Sequence, residues 1–522
     1  MKLRKITFGL LLTCAATATS CFGGNADVTF WSPFGSKYSE KLEAIVQDMG
    51  DELGFKISHK SISGYPNILK DMSAANSSGT YPDIAVGYPD HFVTYQSVEM
   101  LRPLTSYFSE AELSDYVDSY MPENYLYDDY GVKTLYGIPF NKSTELLGYN
   151  GVFIDYCVQL YGEGMRTLPK TWDEWADVTP GSKVSKYLQT FNELIASQTQ
   201  WYATQATDGS CTDFSTSQGP GQVKVFDYKD IDAKECALFT YDSPDNAFIT
   251  LVRQWGGRYT ELPESERTKF GLLRKGHVLF SNSEYWDETL SMLKFFNRMN
   301  KNGIFSLPEV LGKAYSSSSF EKGKVMFMIC SSGGLGYNTG SWQNRFRLAP
   351  VPYKEANKKY VISQGANLCL TDASNDPTNA VKVMKGLTTG KFQTRWTRET
   401  GYFPASKSSE QSEEYRRFLH PEQFGEAIDY SDHDAVAYRE GAIVNTDTYS
   451  KESEGWIRFV DDAFVGSSDI REAVKNALPY VLKSVPEADL DNDEKYAIQM
   501  KEVLKALNNH NNVVVERHPD LQ

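Results

Sequence analysis

The stretch that decides the fold reads Leu135-Tyr136-Gly137-Ile138-Pro139-Phe140-Asn141-Lys142-Ser143-Thr144-Glu145-Leu146-Leu147-Gly148-Tyr149-Asn150. Apolar residues at 136–140 and 146–149 predict two short extended runs, and the proline suits a strand edge better than a strand centre. Residues 141–144 lie between the runs and offer hydroxyl and amide groups. A strand-to-strand passage with hydrogen-bonding side chains at its middle indicates a hinge that also lines a cleft.

Short segments on both sides of this stretch carry further signals, between about residue 27 and residue 482. They are Val28-Thr29-Phe30-Trp31, Tyr81-Pro82-Asp83-Ile84, Leu168-Pro169-Lys170-Thr171-Trp172-Asp173-Glu174-Trp175, Trp255-Gly256-Gly257, Phe320-Glu321-Lys322-Gly323-Lys324-Val325-Met326 and Thr400-Gly401-Tyr402-Phe403-Pro404. Each segment alone is a weak signal. Their order and spacing, together with the hinge stretch, closely resemble family 1 extracellular solute-binding proteins, the ligand receptors of bacterial ABC importers.

Hydrophobic periodicity by itself predicts an α/β protein. Strand patterns at 28–32, 56–61 and 83–87 alternate with helical patterns at 42–53 and 68–72. This alternation indicates an open, mostly parallel sheet, whose ligands bind beyond the carboxyl ends of its strands. Tyr65 and the Tyr88-Pro89-Asp90 turn therefore fall near a crevice.

The resemblance implies a two-lobe periplasmic-binding-protein fold (type II-like), with hinge crossings and a ligand cleft between the lobes. Its expected divisions are an N-terminal lobe at 27–142 plus 348–400, a C-terminal lobe at 143–347 plus 401–482 with a polar surface insertion at 198–245, and an acidic helical tail at 483–522 that the resemblance does not cover. Capping boxes at Thr171/Glu174 and Ser281/Glu284 predict two helix starts in the second lobe.

The first residues form a targeting segment. Three basic residues precede an apolar run from Ile6 to Ala18 that is too short for an ordinary transmembrane helix. Cys21 directly follows small residues, which resembles a lipoprotein signal: residues 1–20 are removed, Cys21 is acylated and residues 21–26 form a tether. The alternative is ordinary secretion with cleavage near Ala18.

Charge and cysteine content limit the partners. A formal net charge of -15 argues against nucleic acid and against anionic membrane surfaces, so the lipid anchor is the only membrane contact expected. Cys211 and Cys236 bracket a polar region and predict a disulfide in an oxidising compartment. No metal site and no cofactor is predicted.

Candidate ligand contacts lie in five separated segments. Ser143 and Thr144 in the hinge, and Ser332 in a Ser-Ser-Gly-Gly loop after a strand, offer hydroxyls and backbone N–H groups for oxygen-rich ligands. Their alternatives are local turn bonding and a plain flexible loop. Resemblance to members that bind sn-glycerol 3-phosphate and glycerophosphodiesters adds four residues: Gly365, Asn367, Tyr402 and Arg458. The guanidinium of Arg458 suits a phosphate, and its alternative is a salt bridge with Asp461 or Asp462.

Two departures weigh against the same diester head group. Pro89 and Asp90 stand where those members carry a Glu, and Ala247, Phe248 and Leu251 stand where they carry a Trp pair. A sugar ligand is the other prediction, with Tyr65, Trp255 and Tyr402 as stacking platforms, although such rings also serve as core residues.

The sequence thus predicts a monomeric, non-enzymatic, extracytoplasmic receptor, lipid-anchored in the cell envelope. It is expected to deliver a carbohydrate or glycerol-phosphate-type solute to the transmembrane subunits of an ABC permease. A secreted glycoside hydrolase is the alternative from another class, although no motif marks a pair of catalytic carboxylates. A solute receptor used for signalling is the third possibility.

Overall fold

The computed structural model describes residues 26–269, 271–340, 344–450 and 454–522. The targeting segment and Cys21 lie outside these residues. Within them, no helix is long and apolar enough to cross a membrane.

Eighteen strands are described: β1 Val28–Ser32, β2 Ile57–Ser61, β3 Ile84–Gly87, β4 Tyr125–Tyr127, β5 Lys133–Leu135, β6 Gly137–Asn150, β7 Gln200–Gln205, β8 Cys211–Ser215, β9 Val223–Asp227, β10 Ala237–Tyr241, β11 Thr260–Glu261, β12 Gly276–Val278, β13 Phe305–Ser306, β14 Val325–Ser331, β15 Phe346–Ala349, β16 Lys359–Leu370, β17 Trp456–Phe459 and β18 Val513–Val515.

The described α-helices are α1 Ser36–Leu53, α2 Tyr65–Asn76, α3 Pro89–Gln96, α4 Glu110–Asp115, α5 Gly151–Tyr161, α6 Trp172–Ala176, α7 Lys183–Ala196, α8 Pro244–Gln254, α9 Glu264–Arg267, α10 Trp286–Lys301, α11 Ser317–Glu321, α12 Pro377–Thr388, α13 Gly390–Thr400, α14 Lys407–Glu410, α15 Glu413–Leu419, α16 His433–Val444, α17 Ser467–Ser484 and α18 Asp493–Leu507.

The hinge stretch is one continuous strand, not the two runs with a polar break that the sequence predicts. β6 pairs with β16 along residues 137–144 and with β14 and β15 along residues 145–150. The polar residues stay extended because β16 pairs with residues 141–144, and the Phe403 N–H donates to the Lys142 carbonyl at 2.8 Å. Pro139 is accommodated beside Asn367, next to a register shift in β16 between Ala366 and Asn367.

The two lobes share a ten-stranded sheet with the order β13-β10-β14-β6-β16-β3-β1-β2, to which β15 and β17 add at the centre. β1, β2 and β3 are parallel in the first lobe, and β10, β13 and β14 are parallel in the second. This is the α/β two-lobe architecture that the sequence predicts.

Helices cover each half because their apolar faces fit these sheets. The predicted face of α1 is buried, with Leu42, Ile45 and Val46 all 0% exposed, and Gly54 ends the helix at a φ of 76°. The capping box at Thr171 is confirmed: the Glu174 N–H donates to Thr171 Oγ1 at 3.1 Å. These contacts give each lobe its own hydrophobic core.

The capping box at Ser281 is wrong. Asn282 Oδ1 instead accepts the N–H groups of Glu284 and Tyr285, at 3.0 Å each, just before α10. Ser281 Oγ donates to the Glu516 carbonyl at 2.7 Å. The hydroxyl is therefore used to bind a distant segment that no local pattern shows.

The expected divisions of the chain differ from the structure in three places. β15 pairs with residues 147–150, so the chain stays with the second lobe past residue 348 and returns only along β16. Phe403 pairs with Lys142, and the Val117 N–H donates to the Ala405 carbonyl, so residues after 401 still pack on the first lobe. The 198–245 region, predicted as a polar surface insertion, forms the small sheet β8-β7-β9, but its end is β10, a strand of the ten-stranded sheet.

Candidate functional site

The site lies where the two halves of the sheet meet. β3 ends at Gly87, which pairs with Asn367 opposite Pro139, whereas β14 ends at Ser331 opposite Glu145. The parallel strands of both lobes therefore direct their carboxyl ends at residues 139–145 of β6. Loops at such ends are where open α/β sheets bind ligands.

Tyrosines of the first lobe cover one side of this meeting point. The ring centroids of Tyr65 and Tyr88 lie 4.3 Å apart, and Asn141 Nδ2 donates to the Tyr65 hydroxyl at 3.2 Å. Burial raises the pKa of Tyr65 and raises that of Tyr402 to about 12. All these hydroxyls are therefore protonated at neutral pH and available as hydrogen-bond donors.

Two of the predicted hydroxyl contacts are engaged within the fold. Ser332 is 0% exposed, and its Oγ accepts the Thr144 N–H at 3.3 Å. Thr144 Oγ1 donates to the Ile362 carbonyl at 2.8 Å. The next residue, Gly333, leaves room for the Tyr402 ring, because a Cβ at this position would lie 2.5 Å from that ring. Ser143 is buried at 4% exposure on β6.

Gly365 and Asn367 shape the crossing of β16 over β6. Gly365 has a φ of 99°, and a Cβ there would lie 2.0 Å from the Asn141 carbonyl oxygen, so only glycine fits. Asn367 Nδ2 donates to Glu123 Oε1 at 2.7 Å. The same oxygen pairs with Lys142 Nζ at 2.5 Å, deep in the hinge.

Asp90 faces a cation that sequence reasoning missed. Arg471, on the first turns of α17, pairs with Asp245 at 3.2 Å and donates to Asn246 Oδ1 at 2.8 Å. Burial acts to lower the pKa of Arg471, but Asp245 and then Asp90 outweigh it and raise the pKa. Arg471 thus joins charges of both lobes, and no sequence pattern distinguishes it from a surface residue of an amphipathic helix.

A cavity of about 510 Å³ lies between the lobes and receives side chains from both. Its charged lining residues are Glu123, Asp129, Lys133, Arg253, Arg267, Arg274, Arg458, Asp461 and Asp462. α3 of the first lobe contributes Pro89 and Val93. Of the predicted ligand contacts, only Arg458 lines this cavity.

The salt bridge considered for Arg458 is not formed. Arg458 donates to the Tyr120 hydroxyl at 2.8 Å, to Ser450 Oγ at 3.0 Å and to Asn445 Oδ1. Asp461 pairs instead with Arg253 at 2.9 Å, and Asp462 accepts the Leu262 N–H at 2.9 Å. Within the described parts of the chain, no carboxylate lies at ion-pair distance from Arg458.

Three of the arginines that line the cavity each have a side-chain N–H group without an acceptor among the residues described. The Nε atoms of Arg253, Arg274 and Arg458 are buried and have no hydrogen-bond acceptor among the residues described. A buried donor without a partner is costly. An oxygen-rich ligand in the cavity is the group that these donors fit.

Trp255 is not brought to the cleft. It is 7% exposed and packs in the second-lobe core, 5.1 Å from Phe295 and 5.4 Å from Phe296 between ring centroids. Of the three expected platforms, Tyr65 and Tyr402 lie together and Trp255 lies elsewhere.

The expected disulfide between Cys211 and Cys236 is not formed, since both are free thiols. Cys211 begins β8 with its sulfur against the Gly209 carbonyl, whereas Cys236 follows a 3-10 turn with its sulfur against the Asp232 carbonyl. Each thiol is therefore engaged in its own loop. Burial raises the pKa of Cys211 to about 12 and that of Cys236 to about 11.

Solved structures with the same fold are solute receptors. UgpB from Mycobacterium tuberculosis, in complex with glycerophosphocholine, is similar with a TM-score of 0.63 and 16% identity, over 93% of this chain and 99% of that one. The GacH receptor of Streptomyces glaucescens, studied unliganded and with acarbose, has a TM-score of 0.59 and 14% identity over 92% and 98%. The maltotriose-binding protein of Thermus thermophilus has a TM-score of 0.57 and 14% identity over 92% and 100%.

Sequence comparison gives the family directly. No curated protein matches this chain. The profile of the bacterial extracellular solute-binding proteins matches residues 44–418, which is most of the chain. This chain belongs to the bacterial extracellular solute-binding proteins.

Proposed function

We propose that the protein is the lipid-anchored receptor of an ABC importer, and that it holds a phosphate-bearing, glycerol-phosphate-type solute between its lobes. It then presents the closed, loaded form to the transmembrane subunits of the permease. The observation that carries this proposal is the 510 Å³ cavity, lined by three arginines whose Nε donors lack acceptors within the described residues.

The charge balance of the cavity supports an anionic solute. Among the residues described, five basic and four acidic side chains line it. One lining group of each sign pairs with a residue outside the lining, Glu123 with Lys142 and Arg267 with Glu264, which leaves four basic and three acidic groups. A local positive excess in a chain of net charge -15 favours a ligand that brings its own negative charge.

Arg458 is the group best placed to meet a phosphate. Its present partners Tyr120, Asn445 and Ser450 are neutral, so its charge is not cancelled by any of them. Planar guanidinium groups bind phosphate oxygens with paired donors. The structural neighbour with bound glycerophosphocholine supports the same solute class by analogy.

A neutral oligosaccharide is the second candidate. The pair of Tyr65 and Tyr88 rings at 4.3 Å, together with Tyr402, supports it because sugars stack on aromatic faces. The maltotriose-binding neighbour supports it by analogy. This candidate uses the tyrosine side of the hinge and leaves the arginine-lined cavity without an anion.

A thermal-shift screen separates the candidates, because a ligand that binds only the folded state raises its melting temperature. sn-Glycerol 3-phosphate and glycerophosphocholine are compared with glycerol, choline and maltotriose. We expect a rise with the two phosphate compounds only. A rise with maltotriose alone contradicts the phosphate assignment. Release of free sugar from added glycosides would instead reveal a hydrolase.

A further inference from the structure

The rim of the cavity on the second lobe is held by residues 508–522, which we call the C-terminal segment. We call residues 271–281 the rim segment; it contains β12 and lines the cavity with Gly271 and Arg274. β18 pairs in parallel with β12, from Gly276 opposite Val513 to Val278 opposite Val515. Residues 511–522 lie beyond the 44–418 match to the family profile.

Side chains reinforce this pairing at both ends. Asn512 Nδ2 donates to the carbonyls of Leu272 and Arg274, at 2.7 and 2.9 Å. At the other end, the His518 N–H donates to the Ser281 carbonyl at 2.7 Å. The backbone of the rim segment is therefore fixed over most of its length by residues 512–518.

The rim segment also reaches across to the first lobe. Arg274 donates through both terminal nitrogens to the carbonyls of Tyr127 and Asp128, in the β4–β5 hairpin. The Gly271 N–H donates to Asp129 Oδ1 at 3.4 Å in the same hairpin. The hairpin belongs to the first lobe, since the Leu104 N–H donates to the Leu135 carbonyl at 2.8 Å.

Arg274 is buried at 7% exposure although its bonds are to backbone carbonyls. Among the residues described, no carboxylate pairs with it and no acceptor meets its Nε. Burying a cation without a counter-charge is costly, and the two carbonyls of the hairpin are the acceptors that offset part of this cost. Asn512 holds the carbonyl of this same residue, so the C-terminal segment places the arginine directly.

We propose that Arg274 is a positioning residue that holds the second lobe closed against the first, and that β18 and Asn512 keep it in place. The C-terminal segment thereby controls closure of the cavity. Its effect on a bound solute rests on the function proposed above, whereas the closing contact itself does not.

Hydrogen–deuterium exchange on the intact protein tests the contact without any solute. We expect amides of residues 125–135 to exchange about tenfold faster or more in Arg274→Ala and in Asn512→Ala, because each loses charge-assisted or buried hydrogen bonds. Arg274→Lys keeps the charge but not the pair of donor nitrogens, so its exchange rate should lie between those of the wild type and Arg274→Ala. Arg517→Ala is the matched control, since its bonds to Asn508 and Leu521 stay within the C-terminal segment.

The asparagine variant decides the question if the arginine variant folds poorly. The proposal is overturned if hairpin exchange in Asn512→Ala and Arg274→Lys equals that of the wild type and of Arg517→Ala. It is also overturned if exchange rises equally throughout both lobes, because that indicates general destabilisation.

Glycerophosphocholine, used as a probe, separates this inference from the proposed function. If it raises the melting temperature of the wild type and dissociates about tenfold faster from Arg274→Ala, the proposed solute class and the positioning role of Arg274 are both supported. If it has no effect on any variant while hairpin exchange still rises, the proposed solute class fails and the positioning role stands.

Discussion

Lys142 Nζ lies 2.5 Å from Glu123 Oε1, and the two side chains are 0% and 4% exposed. Lys142 belongs to the hinge strand and also donates to the Gly365 carbonyl at 3.1 Å. Glu123 lines the cavity and holds Asn367. One buried ion pair thus connects the floor of the hinge with the wall of the cavity.

Removing one partner of this pair should be strongly destabilising. We expect Glu123→Ala to lower the free energy of unfolding by about 3–5 kcal/mol, because Lys142 is left buried without its counter-charge. Urea titration measures the loss. The double variant Glu123→Leu with Lys142→Met should lose less than the sum of the single variants, and strict additivity would show that the two charges do not interact.

Glu145 gives the folded state a pH dependence. Burial raises the pKa of this carboxyl to about 8, although the hydrogen bonds from Tyr241 and Thr250 act to lower it. The unfolded chain releases this proton near pH ~4.3. The folded state therefore binds the proton more tightly, and its stability should fall as the pH rises from about 4.3 towards 8, then level off.

The variant Glu145→Gln tests this dependence, since it keeps the shape and removes the titration. The fall of unfolding free energy between pH 5 and pH 8 should be smaller in the variant by a few kcal/mol, at about 1.36 kcal/mol per pKa unit. Glu422→Gln, an exposed carboxylate, serves as control. Parallel pH profiles for wild type and Glu145→Gln would refute the assignment.

Arg458 should distinguish a phosphate-bearing solute from a neutral one. With sn-glycerol 3-phosphate, Arg458→Ala should weaken binding by about 2–5 kcal/mol, because the anion loses its main partner inside the cavity. With a neutral sugar the loss should be about 1–2 kcal/mol or less, and Tyr402→Ala, which removes the aromatic ring, should weaken binding more. Calorimetric titration compares the two, with the surface variant Arg417→Ala as control. A phosphate compound that binds Arg458→Ala at wild-type strength excludes the role of Arg458.

Cys21 is expected to carry the lipid anchor. The basic start, the short apolar run and the small residues before the thiol favour acylation at this position. Cys21→Ala should move the protein from the membrane fraction to the soluble fraction when cells are broken without detergent. Equal distribution of both forms would favour ordinary secretion.

Local pattern was sufficient for many of the helices and strands and for the α/β character, whereas the two-lobe arrangement came from the resemblance to the family. The apolar face of α1, the capping box at Thr171 and the alternation of strands with helices are all short-range signals, and the structure confirms them. Tyr65 was placed near the crevice by the strand–helix alternation and Tyr402 by the family resemblance, and the structure brings the two together.

Long-range pairing explains what the sequence did not predict. Asp461 binds Arg253, which lies 208 residues away, rather than Arg458 nearby. Ser281 binds Glu516 at a separation of 235 residues, so its capping role is lost. β6 remains extended through Asn141–Thr144 because the distant strand β16 pairs with it there and Phe403 bridges to Lys142. Arg471 has no local signature at all, since its partners come from α3 and α8.

The continuity of β6 sets how the receptor can move. A flexible linker would let the lobes swing freely, but β6 pairs with β16 through residues 137–144 and with β14 and β15 through residues 145–150, so it can bend only if its neighbours bend with it. Opening must then be a twist that is distributed over the central strands of the sheet, rather than a rotation about one or two flexible residues.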